Sequence, residues 1–291
     1  MTHYYKVAEF SVEISDDLIR KSSDLGSGLE VFSAHRSPAE PDFRFQRGKK
    51  EAGSNRSKLL FAFADCAYPT HLWWLDSGDY ECRFEHPGGR GRLAFRITDD
   101  WKEITLTEDT VEDSGYMLFN RLGALFNIAL LHYDACVFHG VVMEYQGKGI
   151  LVMAPAGTGK STHTNMWEER EHALILNGDR CLCRCVDGIW YAYGMPWAGS
   201  SEKILNMKTQ IHAIVMLERD TKNHTEKMSD FYAELYLLQR MFAPITRGNL
   251  QENAFRYAHD IAVKVPVLKL MCRPDYESVD ILKNAILELD S

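Results

Sequence analysis

The residue types and spacing best suited to chemistry lie in residues 153–167, MAPAGTGKSTHTNMW. The usual phosphate-binding template is G-x-x-x-x-G-K-[S/T], and the chain matches it from Ala154 to Ser161, with alanine replacing the first glycine. Gly157 and Gly159 allow successive backbone N–H groups to turn inward and line an anion-sized concavity. An apolar stretch precedes the loop and a helical pattern follows it, so the positive end of a helix is expected to point at that concavity.

This loop pattern predicts that ATP binds here together with Mg²⁺. Lys160 has the length to reach the β- and γ-phosphates, and the Ser161 hydroxyl is a suitable Mg²⁺ ligand. The alternative is a glycine-rich turn between a strand and a helix that binds no ligand. The positions predicted to contact the nucleotide are Ala156, Gly157, Thr158, Gly159, Lys160, Ser161 and Thr162.

A bound nucleoside triphosphate needs a second group to orient its metal, and Asp179 is the candidate. It follows the apolar strand pattern of residues 173–176, nineteen positions after Lys160, where a Walker-B aspartate is expected. The next residue, Arg180, has the chemistry to neutralise a transferring phosphoryl group. The alternatives are an aspartate that caps a turn and an arginine that is solvated at a strand end. Asp179 is therefore predicted to be a Mg²⁺ ligand, with Ser161, and a catalytic group.

The elements that must position these residues fall into three parts. Residues 1–112 hold short, partly alternating apolar stretches separated by turn residues, and they are predicted to form a β-rich N-terminal module. Residues 113–134 are predicted to form a connecting helix because the stretch is long, apolar and free of proline. An interface with another subunit is the alternative use of that helix. The strands predicted in the module are residues 6–14, 29–34, 43–48, 58–64, 79–86, 91–98 and 103–108.

Residues 135–291 are predicted to form a nucleotide-binding domain, since strand-like and helix-like patterns alternate on both sides of the loop. The whole chain is therefore expected to be an α/β protein of the α+β kind. The strands predicted in this part are residues 136–145, 149–154, 173–177, 181–186, 189–194, 212–219 and 265–272. The predicted helices are residues 160–170, 230–242, 250–264 and 277–289.

The composition excludes several classes of protein. A net charge of −8 without a basic block argues against binding to nucleic acid or to anionic lipid. The first residues have no secretory pattern, and no stretch approaches 18 consecutive apolar residues, so a cytoplasmic protein without a membrane span is expected. The seven cysteines are expected to be reduced thiols. Three of them, Cys181, Cys183 and Cys185, alternate and are predicted to pack one side of a strand rather than to bind a metal.

From residue 138 the order of motifs resembles HPr kinase/phosphorylase. Phe138-His139-Gly140 is followed by a short hairpin, a strand, the loop, a helix, and a strand that ends in an acid. The segments APAGTGKSTHT, LNGD and YGMPW are similar to those of HPr-kinase-like proteins, and the wider group shares a fold with phosphoenolpyruvate carboxykinase. The resemblance covers residues 135–220 well and the C-terminal helices loosely, and it does not extend to residues 1–112. It implies a P-loop domain of the HPr kinase type.

The resemblance also implies roles for individual residues. His139 matches a histidine near the γ-phosphate, Lys160 the loop lysine, and Asp179 the second acid of an Asp-Asp pair at the metal and the attacking hydroxyl. The first acid is Gly178 here, and Thr162 stands where the HPr kinase loop has an acid. His139, Lys160 and Asp179 are thus the predicted catalytic residues, and reversible phosphorolysis is not expected. Without the resemblance, His139 also reads as a packed core histidine.

Three further segments are candidates for the site, and the first has two readings. His163 and Thr162 either contact phosphate or cap backbone N–H groups in the first helical turn. Residues 193–201 are predicted to form a substrate-facing loop with Trp197 at the surface, and Arg247 with Gly248 a loop that reaches the site.

The leading hypothesis is an ATP-dependent kinase that phosphorylates a hydroxyl on a protein, a peptide or a small molecule. The second is a nucleotide-dependent binding module that transfers nothing, which the glycine at 178 favours. A GTPase or a motor ATPase is a weaker third hypothesis, since no guanine-reading N-K-x-D motif occurs.

Overall fold

The computed structural model describes residues 2–19, 26–34, 40–49, 56–63, 69–199, 201, 203–243 and 249–290. This part of the chain is a mixed α/β structure with seventeen strands and seven α-helices. It divides into two compact units, Met1–Tyr133 with Ala243–Gln251 and Asp134–Phe242 with Glu252–Ser291. No helix within the described ranges is long and apolar enough to cross a membrane.

The first unit is built on an eight-stranded sheet in the order β1-β2-β3-β8-β7-β6-β5-β4. Strand β3 pairs in parallel with β2 and β8, and the other neighbours are antiparallel. The elements are β1 Thr2–Val7, β2 Phe10–Ser15, α1 Asp16–Ile19, α2 Gly26–Glu30, β3 Phe43–Arg47, β4 Arg56–Phe63, β5 Thr70–Leu75, β6 Tyr80–Glu85, β7 Arg92–Ile97, β8 Glu103–Asp109 and α3 Gly115–Ala129.

Helix α3 supplies the apolar face that packs with this sheet. Phe126 is fully buried, and its ring meets those of Phe43 and Phe45 edge-on at centroid distances of 5.2 and 6.2 Å. Leu118, Leu122 and Leu125 are buried at helical spacing along the same helix. The segment predicted to be helical, residues 113–134, therefore contains a helix, which covers Gly115–Ala129 and continues into a short 3₁₀ turn at Leu130–His132.

Two strand predictions in this unit are wrong or incomplete, and one strand was missed. Residues 6–14 are two strands, because Ala8 and Glu9 turn the chain with φ values of 49° and 70° although neither is a glycine. Residues 29–34 are not a strand; Leu29 and Glu30 end α2, and only Ser33 makes an isolated bridge, to Tyr5. Strand β5 was not predicted, since its tryptophans interrupt the alternation of apolar and polar residues.

The second unit is built on a mixed sheet in the order β12-β10-β11-β15-β14-β13-β9, in which β17 joins β15 and β16 joins β17. The elements are β9 Ala135–His139, β10 Val141–Tyr145, β11 Lys148–Met153, α4 Lys160–Glu171, β12 Leu174–Asn177, β13 Arg180–Val186, β14 Ile189–Tyr193, β15 Lys208–Arg219, β16 His224–Lys227, α5 Asp230–Arg240, α6 Asn249–Lys264, β17 Val267–Cys272 and α7 Tyr276–Glu288. The predicted strand at residues 136–145 is two strands, β9 and β10, which pair with different neighbours. Strand β16 was not predicted.

Strand β15 is the centre of this sheet. Its first residues pair antiparallel with β14, and the remainder pairs in parallel with β11 and β17. The carboxyl ends of β11, β15 and β17 therefore meet at one edge, which is where open α/β sheets bind ligands. Helices α4 and α7 contribute Trp167 and Leu282 to the core against β11 and β15.

Two of the three alternating cysteines on β13 are packed in the interior, and Cys185 is half-buried. Cys181 and Cys183 on β13 are buried, and Cys136 on β9 lies opposite Cys183 in the antiparallel register. Burial raises the pKa of the Cys136, Cys181 and Cys183 thiols. Cys66 lies outside the described residues.

We expect Phe126→Ala to lower the free energy of unfolding by about 3–5 kcal/mol, since it removes a buried ring and leaves a cavity. Tyr116→Ala on the same helix is the matched control, because Tyr116 is 60% exposed; its effect should stay within about 0.5 kcal/mol. Urea unfolding followed by far-ultraviolet circular dichroism measures both. Equal losses in the two variants would contradict the packing role of Phe126.

Candidate functional site

The loop between β11 and α4 has the backbone that an anion site needs. Gly157 and Gly159 adopt φ values of 76° and 117°, a region that favours glycine. A Cβ atom at either position would have no heavy atom within 4 Å, so the loop borders open space. Gly159 is the N-cap of α4 and offers no side chain to its first N–H groups. Those donors of a twelve-residue helix are therefore not satisfied by a capping side chain.

Lys160, the first residue of α4, folds back over this loop. Its Nζ donates to the Ala154 carbonyl at 2.9 Å and lies 3.2 Å from Nε2 of His139. Burial lowers the pKa of Lys160, while the Asp179 carboxylate acts in the opposite direction. The loop lysine and the predicted catalytic histidine are thus direct neighbours.

His139 ends β9, directly opposite Arg180 of β13. Its Nδ1 lies 3.4 Å from Oδ1 of Asp179. Burial is the main cause of its lowered pKa, and the positive charge of Lys160 adds to the effect. The ring stands edge-on to Phe242 at 6.3 Å. The structure therefore brings the three predicted catalytic residues together, with His139 half-buried between Lys160 and Asp179.

The turn that carries Asp179 is held by Asn177, a residue that the sequence reasoning missed. The Asn177 side chain is fully buried, and its Oδ1 accepts from the backbone N–H groups of Asp179 and Arg180 at 3.0 and 2.8 Å. Its Nδ2 donates to the carbonyls of Met195 and Trp197 at 2.9 and 3.3 Å. An asparagine before Gly-Asp is a usual turn former, so a signal for this role was present.

Gly178 has no room for a side chain. A Cβ at this position would lie 1.9 Å from Oγ of Ser201 and 2.5 Å from its Cβ. Ser201 thus occupies the space that a carboxylate at 178 would enter. The glycine is required by close packing, and Asp179 is left as the acid of this turn.

The segment at residues 193–201 differs from the prediction. Trp197 is 2% exposed and Met195 is fully buried, so Trp197 is not a surface residue. The reason is the pair of hydrogen bonds from the Asn177 amide, which ties this segment to the interior. Its glycines indicated a flexible loop, and the structure instead uses the segment as a support for the Asp179 turn.

His163 serves the interior and not the loop surface. It is 2% exposed, its Nε2 accepts from the indole N–H of Trp167 at 3.1 Å, and its Nδ1 lies 3.3 Å from Oγ of Ser278. Burial lowers its pKa to about 4. Thr162 and Ser161 in the same turn are exposed. Arg247 and Gly248 lie outside the described residues.

Arg219, at the end of β15, is a second residue that the sequence reasoning missed. Its Nε donates to the Thr158 carbonyl at 2.9 Å and its Nη2 to the Gly157 carbonyl at 2.5 Å. By drawing these carbonyls toward itself, Arg219 fixes the orientation of the loop peptides. A cleft of about 450 Å³ lies beside them, bordered by Thr158, Thr162 and Arg219 among others. Nothing in the sequence separates Arg219 from any other basic residue at a strand end.

The packing at Gly178 predicts the effect of placing an acid at this position. We expect Gly178→Asp to destabilise the protein by about 1–3 kcal/mol, because the new side chain overlaps Ser201. The double variant Gly178→Asp/Ser201→Gly should recover most of that loss, and Ser201→Gly alone is the control. Thermal or urea unfolding measures the coupling between the two positions. Strictly additive effects would refute the steric account.

No protein-family model matches the sequence, and no curated protein matches it. Among solved structures, the chain is similar to the HPr(Ser) kinase/phosphatase from Coxiella burnetii, with 11% sequence identity and a TM-score of 0.32. The similarity covers 53% of this chain and 99% of that chain. A likeness this weak says nothing about activity, which has to be argued from the geometry of the site itself.

Proposed function

We propose that the second unit binds ATP with Mg²⁺ and transfers the γ-phosphoryl group to a hydroxyl acceptor, as a P-loop phosphotransferase of the HPr kinase type. The observation that carries the proposal is the close approach of three side chains to one another beside the loop. Lys160 lies 3.2 Å from His139, and His139 lies 3.4 Å from Asp179, beside an open loop at a helix N-terminus. A cation, an imidazole and a carboxylate thus converge where the backbone is suited to phosphate.

The loop residues fit a triphosphate. The open space beside Gly157 and Gly159 and the first N–H groups of α4 suit phosphate oxygens, and Lys160 contacts the Ala154 carbonyl and the His139 imidazole beside that space. The exposed Ser161 hydroxyl and the Asp179 carboxylate are the groups proposed to hold Mg²⁺. ATP supplies the activated phosphoryl group, while the protein supplies position and charge.

In the proposed reaction, the bond from the γ-phosphorus to the bridging oxygen of ADP breaks and a bond to the acceptor oxygen forms. The acceptor hydroxyl loses its proton. Asp179 is proposed to hold the metal and to assist that proton transfer, because it is the acid of the 177–180 turn and Gly178 has no side chain. The reverse reaction with inorganic phosphate is not proposed, since the resemblance assigns it to a pair of acids and Ser201 fills the place of one.

A nucleotide-sensing module is the second candidate. The observation that favours it is the same packing at Gly178, which leaves the site with fewer acids than the kinases it resembles. In that case the loop would bind ATP and change the state of the protein without transfer.

We expect ATP with Mg²⁺ to raise the melting temperature of the wild type and to have no such effect on Lys160→Ala. A ligand that binds only the native state stabilises it by mass action, and the variant lacks the cation that reaches the phosphates. Lys148→Ala is the matched control, since Lys148 stands at the other end of β11 and pairs with Asp290 at 2.6 Å. If the wild type shows no shift with any nucleoside triphosphate at millimolar concentration, nucleotide binding is wrong.

Asp179→Asn separates the two candidate functions. The change keeps the shape of the side chain and removes its charge, so nucleotide binding should persist while transfer falls by about 10²–10⁴-fold. The assay incubates each protein with labelled ATP and a peptide pool or lysate from the native host. Equal amounts of labelled product from both proteins would remove Asp179 from the mechanism. Nucleotide binding without labelled product, across a broad set of acceptors, would support the sensing module instead.

A further inference from the structure

The end of α5 is fixed beside the strand that carries His139. Met241 makes an isolated antiparallel bridge to Phe138, and the backbone N–H of Phe242 donates to the Val137 carbonyl at 2.7 Å. The centres of the Phe242 and His139 rings are 6.3 Å apart, and the Arg180 guanidinium lies 5.5 Å from the centre of the Phe242 ring. The residue just before this anchored pair is Arg240, the last residue of α5. Its backbone is therefore held next to the site.

The Arg240 side chain has unused hydrogen-bonding capacity. Its Nε is buried and has no hydrogen-bond partner among the described residues. The guanidinium lies 5.4 Å from the centre of the Tyr236 ring, so Tyr236 is its aromatic neighbour on the same helix. Its positive charge helps to lower the pKa of both His139 and Lys160, so it acts on the same small volume as those two groups.

The other two arginines at the site each contact an identified group. Arg219 donates to two loop carbonyls, and Nε of Arg180 lies 3.7 Å from Oδ2 of Asp179. Arg240 adds a cation to a site where Lys160 already carries one. Arg180 pairs with the Asp179 carboxylate, so the further positive charges of Lys160 and Arg240 leave an excess that an anion would balance.

We propose that Arg240 binds an oxygen of the transferred phosphoryl group and stabilises the charge that develops on it. This inference rests on the proposed function and adds a catalytic residue to it. A guanidinium stays charged at every physiological pH and offers a planar set of donors that matches phosphoryl oxygens. Donors held in place before the reaction cost no reorganisation when the charge appears. The α5–β9 anchor provides that placement.

The test compares Arg240→Ala and Arg240→Lys with wild type in single-turnover cleavage of labelled ATP, with water as the acceptor. Arg240→Ala should lower the rate by about 10²–10³-fold, the loss typical of one removed transition-state donor. The dissociation constant for ADP should not change, whereas that for ADP with aluminium fluoride, which imitates the planar phosphoryl group, should rise. Arg240→Lys should be slower than wild type but faster than Arg240→Ala. Gln239→Ala, an exposed neighbour on the same helix, is the control with unchanged rate.

Guanidinium ion distinguishes a catalytic role from a structural one. Added at millimolar concentration, it should restore part of the rate of Arg240→Ala and leave wild type unaffected. A rate for Arg240→Ala equal to wild type would overturn the inference. So would a rate loss that is matched by an equal loss of ADP binding and is not rescued by guanidinium. If the wild type transfers to an acceptor from the labelled pool but not to water, the same comparison is made with that acceptor. A wild type that binds ATP but neither cleaves it nor labels any acceptor fails the proposed function itself, which is a different result from active wild type and active Arg240→Ala.

Discussion

The double pairing of β15 is the constraint on which the site depends. Its carboxyl-terminal part pairs in parallel with β11, which ends at the loop before α4, and Arg219 at its end donates hydrogen bonds to that loop. Its first residues pair with β14, which pairs with β13 and through it with β9. One strand therefore fixes the distance between Lys160 on one side and His139 with Asp179 on the other. Buried backbone groups must all be paired, so a shift of β15 would break both halves of the sheet at once.

Packing around the Asp179 turn explains why the site has its charge pattern. Both the oxygen and the nitrogen of the Asn177 side-chain amide make hydrogen bonds. One buried group therefore binds the backbone of residues 179 and 180 and that of residues 195 and 197. Ser201 closes the space at Gly178. The turn therefore presents one carboxylate, and the neighbouring side chains Lys160 and Arg180 are cations. The number of acids is a consequence of packing as well as of residue identity.

Sequence patterns predicted the parts of this protein whose signals are local. The loop, α4, the strand before it and the long apolar helix α3 each follow from residues that are adjacent in the chain. Features that depend on residues distant in the sequence could not be predicted from local patterns. Arg219 contacts the loop only because β15 ends there, and the Trp197 carbonyl is bound by Asn177, twenty residues earlier.

The turn at Ala8 and Glu9 was not predicted, for a different reason. Two ordinary residues adopt positive φ there, and no turn-forming residue marks the place. The grouping of His139 with Lys160 and Asp179 was predicted from the family resemblance. Neither segment alone predicts it, because it depends on the pairing of His139 on β9 with Arg180 on β13.

The electrostatics of the site favour an anion before any ligand is considered. Burial lowers the pKa of Lys160 and of His139, and the neighbouring positive charges lower that of His139 further. A lowered pKa in a basic group means that its surroundings disfavour additional positive charge. Asp179 offsets only part of this, since it faces His139, Lys160 and Arg180 together. A phosphate group beside the loop would lower the cost of positive charge on Lys160, in agreement with the phosphate binding proposed above. The open loop and the cations around it therefore act as one site.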